Sequence, residues 1–135
     1  MALASCEHRT DPSEQPAFLY SDEFYGCDYV SDPTCKPRQP THVERQQIQA
    51  AIDGMSCGQI QSYLNQQLIG NEIQVYEGDD GNWGDAHANG DIHVWIGNFS
   101  DPAFLFQTLA HEGAHLTYGA DEFQADAWMD LCATA

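Results

Sequence analysis

The stretch HEGAHLTYGADEFQADAW, residues 111–128, contains two histidines four positions apart, a central glycine and a group of carboxylates. On a helix, residues four apart lie on the same face, so His111 and His115 can present two imidazole nitrogens to one metal ion. Gly119 suits the left-handed position that ends a helix, and DEFQ at residues 121–124 is a capping box that begins another. The stretch therefore predicts two helices joined at a glycine, with a candidate metal site on the first.

Glu112 lies beside the first histidine, on the flank of the same predicted helix. From there a carboxylate can reach a water molecule bound to the metal without occupying a coordination position, which is the geometry that a general base needs. The motif HExxH would arise by chance in roughly one or two chains in a hundred of this length and composition. We therefore predict that Glu112 is catalytic and is not a metal ligand.

A catalytic zinc ion usually takes three protein ligands and one water molecule. The string EFQADA, residues 122–127, resembles the E-x-x-A-D element of gluzincin metallopeptidases, most closely that of the CAAX prenyl protease family. The resemblance implies a zincin-like domain in which His111, His115 and Glu122 bind one Zn²⁺ and Asp126 orients a ligand histidine. Because no apolar run approaches the roughly 20 residues of a membrane span, the membrane helices of that family are not implied.

The spacing leaves two other metal ligands open. Gluzincins of this type separate HExxH from the glutamate by a long insertion, whereas six residues lie between His115 and Glu122 here. Asp121 lies six positions after His115, where metzincins such as snapalysin carry their third ligand in HExxHxxGxxD, although Gly119 is one position late for that pattern. Asp126 is also within reach of the histidines if Gly119 reverses the chain, so Asp121 and Asp126 remain alternatives to Glu122.

Two further residues are candidates for stabilising a transition state, namely Tyr118 and His87. The segment at residues 79–91 is rich in carboxylates, amides and glycines, a composition that suits Ca²⁺, but its spacing departs from that of an EF-hand loop and an ordinary polar turn is expected. His93 and Trp95 fall on the strand face opposite a row of aliphatic residues, where half-exposed side chains are the expected outcome.

Upstream of the motif, two capping boxes each precede an amphipathic pattern. They are THVE at residues 41–44 and SCGQ at residues 56–59, and they predict two short helices. Asp101 followed by Pro102 predicts the start of the helix that carries HExxH.

Alternating apolar and polar residues at 72–76 and 91–96 predict two strands. The pair Asn89-Gly90 predicts a hairpin, with a third strand over residues 83–88. The expected fold is α+β, with N-terminal helices, a short antiparallel sheet, the motif helix and a C-terminal helix.

Residues 1–40 hold five of the six prolines and lack sustained periodicity, which predicts an irregular arm ahead of a metallopeptidase domain over residues 41–135. Of the five cysteines, Cys6 ends LASC, which resembles the lipobox of bacterial lipoproteins and implies lipidation there. The other four, Cys27, Cys35, Cys57 and Cys132, suffice for two disulfides. We therefore expect a protein that is secreted or held at the cell envelope.

The chain carries four Lys and Arg against 21 Asp and Glu, a formal net charge of −17. Such a surface repels phosphate backbones and anionic lipids, which excludes nucleic acid as a partner and makes a bare membrane a poor one.

Taken together, these features predict a monomeric zinc metallopeptidase, an endopeptidase, that hydrolyses peptide bonds through a metal-bound water with Glu112 as general base. The peptide substrate is expected to lie antiparallel to the strand at residues 91–96. Two alternatives from other classes are a zinc-stabilised binding domain with little turnover and a metal-free extracellular interaction module with a disulfide-tied arm.

Overall fold

A computed structural model of the chain describes residues 33–79 and 81–133. Most of the predicted arm, including Cys6 and Cys27, therefore lies outside the described residues. The part of the arm that is described begins with a 3-10 turn at Pro33–Cys35 and continues to Arg38, which forms an isolated antiparallel bridge with Val75.

The described residues form four α-helices around a small three-stranded sheet, and this architecture confirms the predicted α+β class. The elements in chain order are α1 (His42–Asp53), α2 (Gly58–Ile69), β1 (Ile73–Tyr76), β2 (Gly84–Ala86), β3 (Ile92–Trp95), a 3-10 turn (Ile96–Ser100), α3 (Pro102–Tyr118) and α4 (Glu122–Cys132). None of these helices is both long enough and apolar enough to cross a membrane.

The sheet is mixed, so the prediction of an antiparallel sheet is wrong for one of its two pairs. β2 and β3 form the predicted antiparallel hairpin, with Gly90 at φ 100° in the turn, but β1 pairs with β3 in parallel. The chain passes from β1 to the opposite edge of the sheet and then returns through the hairpin to the middle, which gives the order β1-β3-β2. β3 is therefore the central strand.

Helix starts follow the local signals where no tertiary contact competes. Thr41 and Asp121 make the predicted capping boxes of α1 and α4, and Asp101 accepts from the Ala103 N–H at the start of α3. The capping box predicted at Ser56 is wrong, because α2 begins at Gly58 without a side-chain cap. The Ser56 hydroxyl instead donates to the backbone carbonyls of Leu131 and Cys132 at the end of α4, at 3.0 and 3.1 Å, and the Ser56 N–H donates to the Cys132 carbonyl at 2.9 Å.

The core lies between α3, the other helices and one face of the sheet. Gly113 allows α3 to pack tightly on α2, since a Cβ there would lie 2.9 Å from the Ile60 side chain. The core residues that the sheet contributes are Ile73, Val75, Ile92 and Val94. As a result every residue from 108 to 115 is buried, including the polar residues of the motif.

A disulfide between Cys57 and Cys132 joins the start of α2 to the end of α4, with 4.6 Å between the two Cα atoms. This pair is one of those that the cysteine count allowed. Cys35 is disulfide-bonded as well.

Candidate metal centre

The two motif histidines of α3 lie side by side in the protein interior. His111 and His115 are one helical turn apart, both are fully buried, and their ring centroids are 4.7 Å apart. The Nε2 atoms of both rings approach the carboxylate of Glu122, His111 Nε2 at 3.0 Å from Oε1 and His115 Nε2 at 3.2 Å from Oε2. The three side chains therefore converge on one point.

The turn between α3 and α4 explains how a spacer of six residues brings Glu122 to the histidines. Gly119 adopts the left-handed conformation, φ 65° and ψ 27°, and its N–H bonds the His115 carbonyl. The chain reverses there, and Asp121 caps α4 so that Glu122 is the first residue of the new helix. Asp126 follows one turn later on the same face, with Oδ1 3.0 Å from His111 Nδ1.

The outward-facing nitrogens of the two rings each meet an oxygen. His115 Nδ1 donates to the carbonyl of Ala120 at 2.7 Å, and His111 Nδ1 lies beside Asp126. A proton on Nδ1 leaves the lone pair of Nε2 directed at Glu122 in the neutral tautomer. Such outer partners fix the tautomer and ring angle of metal-binding histidines. Sequence reasoning identified Asp126 but missed the Ala120 carbonyl, which only the path of the chain after Gly119 brings into place.

The donor set fits a zinc ion. Two imidazole nitrogens and a carboxylate are ligands that Zn²⁺ accepts, and in a tetrahedral site neighbouring ligand atoms lie about 3.4 Å apart. The potential ligand atoms of His111, His115 and Glu122 all lie within 4.8 Å of one another. Two lone pairs and a carboxylate that face each other in the interior require a cation or a proton between them.

The pKa of His115 reflects this need for a positive charge. Burial of the ring lowers the pKa of His115, but the Glu122 hydrogen bond, the Glu112 charge and the Ala120 carbonyl together outweigh burial, and the pKa is raised above 6.5. The site therefore attracts a positive charge, which either a proton or a metal ion can supply.

Glu112 is fully buried on the flank of α3 that faces β2. At Gly84, a Cβ would lie 2.8 Å from the Thr108 Cγ2 and 3.6 Å from the Glu112 Cγ, so the absence of a side chain at Gly84 brings β2 close to the motif helix. Glu112 is not a member of the converging ligand group, but its charge acts on His115. This position is compatible with a base and lies outside the candidate metal site.

Two of the other candidates make different contacts. Asp121 is exposed, and its carboxylate caps α4 by accepting from the Gln124 N–H at 2.8 Å. The ring of Tyr118 stacks on Trp128 with centroids 4.7 Å apart, and its hydroxyl donates to Gln59 of α2. The structure does not place either side chain in the group formed by His111, His115 and Glu122.

His87 lies on the other face of the sheet. Gly84 of β2 faces α3, so alternation along the strand directs Asp85 and His87 away from it. The His87 ring packs on His93, with centroids 4.2 Å apart. The prediction that His93 is half-exposed is wrong, since it is 8% exposed. Burial, and then the neighbouring His87, lower the pKa of His93 to about 3.

The loop that precedes β2 and the turn that follows it make local turn contacts. Asp79 accepts from the Gly81 N–H, and Asn89 accepts from the Asp91 N–H, both at 2.9 to 3.0 Å. Such bonds are typical of polar turns that contain Asp and Asn. Asp85, which the composition grouped with these loop carboxylates, belongs to a strand and is buried.

The predicted substrate-binding strand is also wrong. β3 has β1 on one side and β2 on the other, so both of its edges are already paired. The edge strand nearest the motif helix is β2. Odd-numbered residues in and beside β2 bond β3: the Trp95 N–H donates to the Trp83 carbonyl, and the His87 N–H donates to the Asp91 carbonyl. Because alternate residues of an antiparallel strand bond opposite sides, the backbone groups of Gly84 and Ala86 point to the outer edge. Within the described part of the chain, no strand pairs with that edge.

We compared the chain with protein-family models, with curated proteins and with solved structures, and no family model, curated protein or solved structure matches it.

Proposed function

We propose that this protein is a zinc-dependent metallopeptidase of the zincin type. The observation that carries the proposal is the convergence of the His111 and His115 Nε2 atoms on the Glu122 carboxylate, at 3.0 and 3.2 Å, while the Nδ1 atoms face oxygen partners. A bound zinc ion would polarise the carbonyl of a peptide bond and make a water molecule acidic at neutral pH.

Glu112 supplies the proton chemistry in this proposal. It is next in sequence to a proposed ligand, lies outside the ligand group and is fully buried on the flank of α3. It takes a proton from the attacking water and delivers it to the leaving amine. Asp126 and the Ala120 carbonyl keep the two imidazoles in the tautomer that binds metal.

The peptide substrate would pair with the outer edge of β2. An extended peptide can add to a sheet by hydrogen bonding to an open edge, and the backbone groups of Gly84 and Ala86 point that way. Gly84 also lies beside Glu112, so a peptide on this edge passes near the base. The site is more open on the α4 side, where the Glu122 and Asp126 side chains are 22% and 37% exposed.

Glu112→Gln tests the proposal most directly. The variant should retain one zinc ion per chain, because Glu112 is not a ligand, and should lose at least about 100-fold in peptide cleavage, the usual loss when a general base is removed. Zinc content by mass spectrometry and initial rates on a fluorogenic peptide library are the two measurements.

Glu77→Gln is the matched control. Glu77 is exposed, directly follows β1 and is not a member of the group formed by His111, His115 and Glu122; its carboxylate pairs with Arg38. It should leave both zinc content and rate unchanged. A Glu112→Gln variant that loses its zinc together with its activity would contradict the assignment of Glu112 as a base.

A zinc-stabilised binding domain with little turnover is the second candidate, and the burial of the site favours it. His111, Glu112 and His115 are each fully buried, which limits the access of a peptide to an ion held between them. This candidate predicts stoichiometric zinc in the wild type, no peptide cleavage above that of Glu112→Gln, and a fall in Tm when zinc is removed.

A further inference from the structure

The face of the sheet that turns away from α3 carries a second group of potential metal ligands. Asp85 of β2 pairs directly with His93 of β3, so their side chains emerge next to each other on the same face. His87 follows Asp85 by two residues and shares that face, and its backbone N–H bonds Asp91 across the hairpin. Antiparallel pairing at the base of one hairpin thus brings all three side chains together.

The group is compact and lies in the interior. The potential ligand atoms of Asp85, His87 and His93 lie within 4.8 Å of one another, and the two imidazole rings are 4.2 Å apart. The three residues are 2%, 3% and 8% exposed. A carboxylate and two imidazoles buried side by side are thus within reach of a single ion.

The chemistry of the three side chains points to a transition metal. Imidazole suits zinc, copper, iron and nickel, whereas sites for Ca²⁺ and Mg²⁺ are built from oxygen ligands. Three ligands from two neighbouring strands can close on one ion with shifts of about 1 Å, since ligand atoms around tetrahedral zinc lie about 3.4 Å apart. The sheet separates this group from the ligands on α3, so one ion cannot serve both.

We propose that Asp85, His87 and His93 form a second site, which binds a divalent transition-metal ion such as Zn²⁺ and fastens the β2–β3 hairpin. The site does not depend on the proposed peptidase activity, because it shares no residue with the group formed by His111, His115 and Glu122. With both sites filled, the chain binds two zinc ions.

The test counts zinc bound to the full chain, prepared without a histidine tag, stripped with a chelator and dialysed against Zn²⁺. Wild type should bind two equivalents by mass spectrometry. Glu122→Ala and His93→Gln should each bind one, and the double variant none. His42→Gln is the matched control, because His42 is an exposed histidine of α1, and it should still bind two.

Other outcomes overturn the proposal. It is wrong if wild type binds a single equivalent that Glu122→Ala loses, or if His93→Gln binds as much zinc as wild type. The wild-type count decides the matter even if His93→Gln does not fold. If Glu122→Ala leaves the zinc count unchanged while His93→Gln lowers it, the hairpin site stands and the zinc centre of the proposed peptidase fails.

Discussion

At the scale of single residues, the candidate centre depends on which atom of each side chain faces which partner. Glu122 offers one carboxylate oxygen to each histidine, whereas Asp126 meets the far side of one ring. A group that binds the ion directly and a group that only orients a ligand should therefore differ in the effect of their loss.

Glu122→Ala should largely abolish zinc binding, because it removes a direct ligand of the proposed site. Asp126→Asn keeps the size of the side chain and should weaken zinc affinity by only about 10- to 100-fold, the usual effect of a partner outside the ligand set. Competition with a chromophoric chelator measures both. Asp130→Asn, one turn further along α4 and exposed, is the matched control and should bind zinc like wild type. An Asp126→Asn variant that loses zinc while Glu122→Ala keeps it would reverse the ligand assignment.

The sequence predicts well the residues whose contacts are local, and predicts poorly the residues whose contacts involve segments distant in sequence. His111 and His115 share a face because of helix geometry alone, so their proximity could be predicted from spacing. The Ala120 carbonyl has no sequence signal, and its position follows from the φ of 65° at Gly119. His93 was expected to be half-exposed because strand alternation identifies two faces without saying whether the polar one is covered.

At the scale of elements, the reversal at Gly119 sets the position of α4 against α3. Its backbone is in the left-handed region, but a Cβ there would have no atom within 4 Å, so an added side chain would bring strain without a clash. The ligand geometry and the stability of the helix pair therefore both depend on the backbone freedom of one residue.

Gly119→Ala should lower the free energy of unfolding by about 1 to 2 kcal/mol, the cost of a left-handed conformation for a residue with a Cβ. Urea denaturation measures the change. Gly58→Ala is the matched control, because a Cβ at Gly58 also has no atom within 4 Å and its φ is not positive. That substitution should be neutral or slightly stabilising. Equal effects of the two substitutions would show that left-handed strain is not the cause.

Element starts and pairings differ in how far the sequence predicts them. The caps at Thr41, Asp101 and Asp121 involve residues two or three positions apart, and local signals were sufficient. Ser56 has the same local signal, but its hydroxyl is taken by carbonyls of residues 131 and 132. Likewise, the hairpin at Asn89 is local, whereas the parallel pairing of β1 with β3 depends on a crossover that the alternating pattern does not encode.

At the scale of the whole molecule, one disulfide affects the stability of the fold, and a strong negative charge affects its association with charged molecules. The disulfide between Cys57 and Cys132 spans a sequence separation of 75. The chain contains 21 Asp and Glu but only four Lys and Arg. The first acts on the unfolded chain by restricting its conformations, and the second acts at long range on charged partners.

Replacing both Cys57 and Cys132 by serine should lower the free energy of unfolding by about 4 kcal/mol, as expected for a bridge that closes a loop of this size. Urea denaturation of the oxidised proteins measures the loss. Ser56→Ala is a control at the same junction, since it keeps the bridge and removes hydrogen bonds worth about 1 kcal/mol. A double variant no less stable than Ser56→Ala would contradict the prediction.

The negative charge should also be visible in substrate preference, if the protein is the proposed peptidase. Peptides rich in Lys or Arg should be cleaved with a higher kcat/KM than neutral peptides of equal length at low salt. This advantage should decline several-fold as the salt concentration rises to about 0.5 M, where charges are screened within a few ångströms. Rates on matched neutral peptides should stay nearly constant, and an advantage that is insensitive to salt would exclude steering by charge.

The bond between Cys57 and Cys132 turns most of the described chain into a covalent ring, because β1 to β3, α3 and α4 all lie between its two ends. A single hydrolysed peptide bond inside a ring opens it without dividing it. If a peptidase of this fold nicks another copy of itself in the exposed turn at Gly119, the part of the chain that carries His111 and His115 stays covalently linked to the part that carries Glu122. Autolysis would then leave the zinc ligands together, and only a second cut or reduction of the disulfide would separate them.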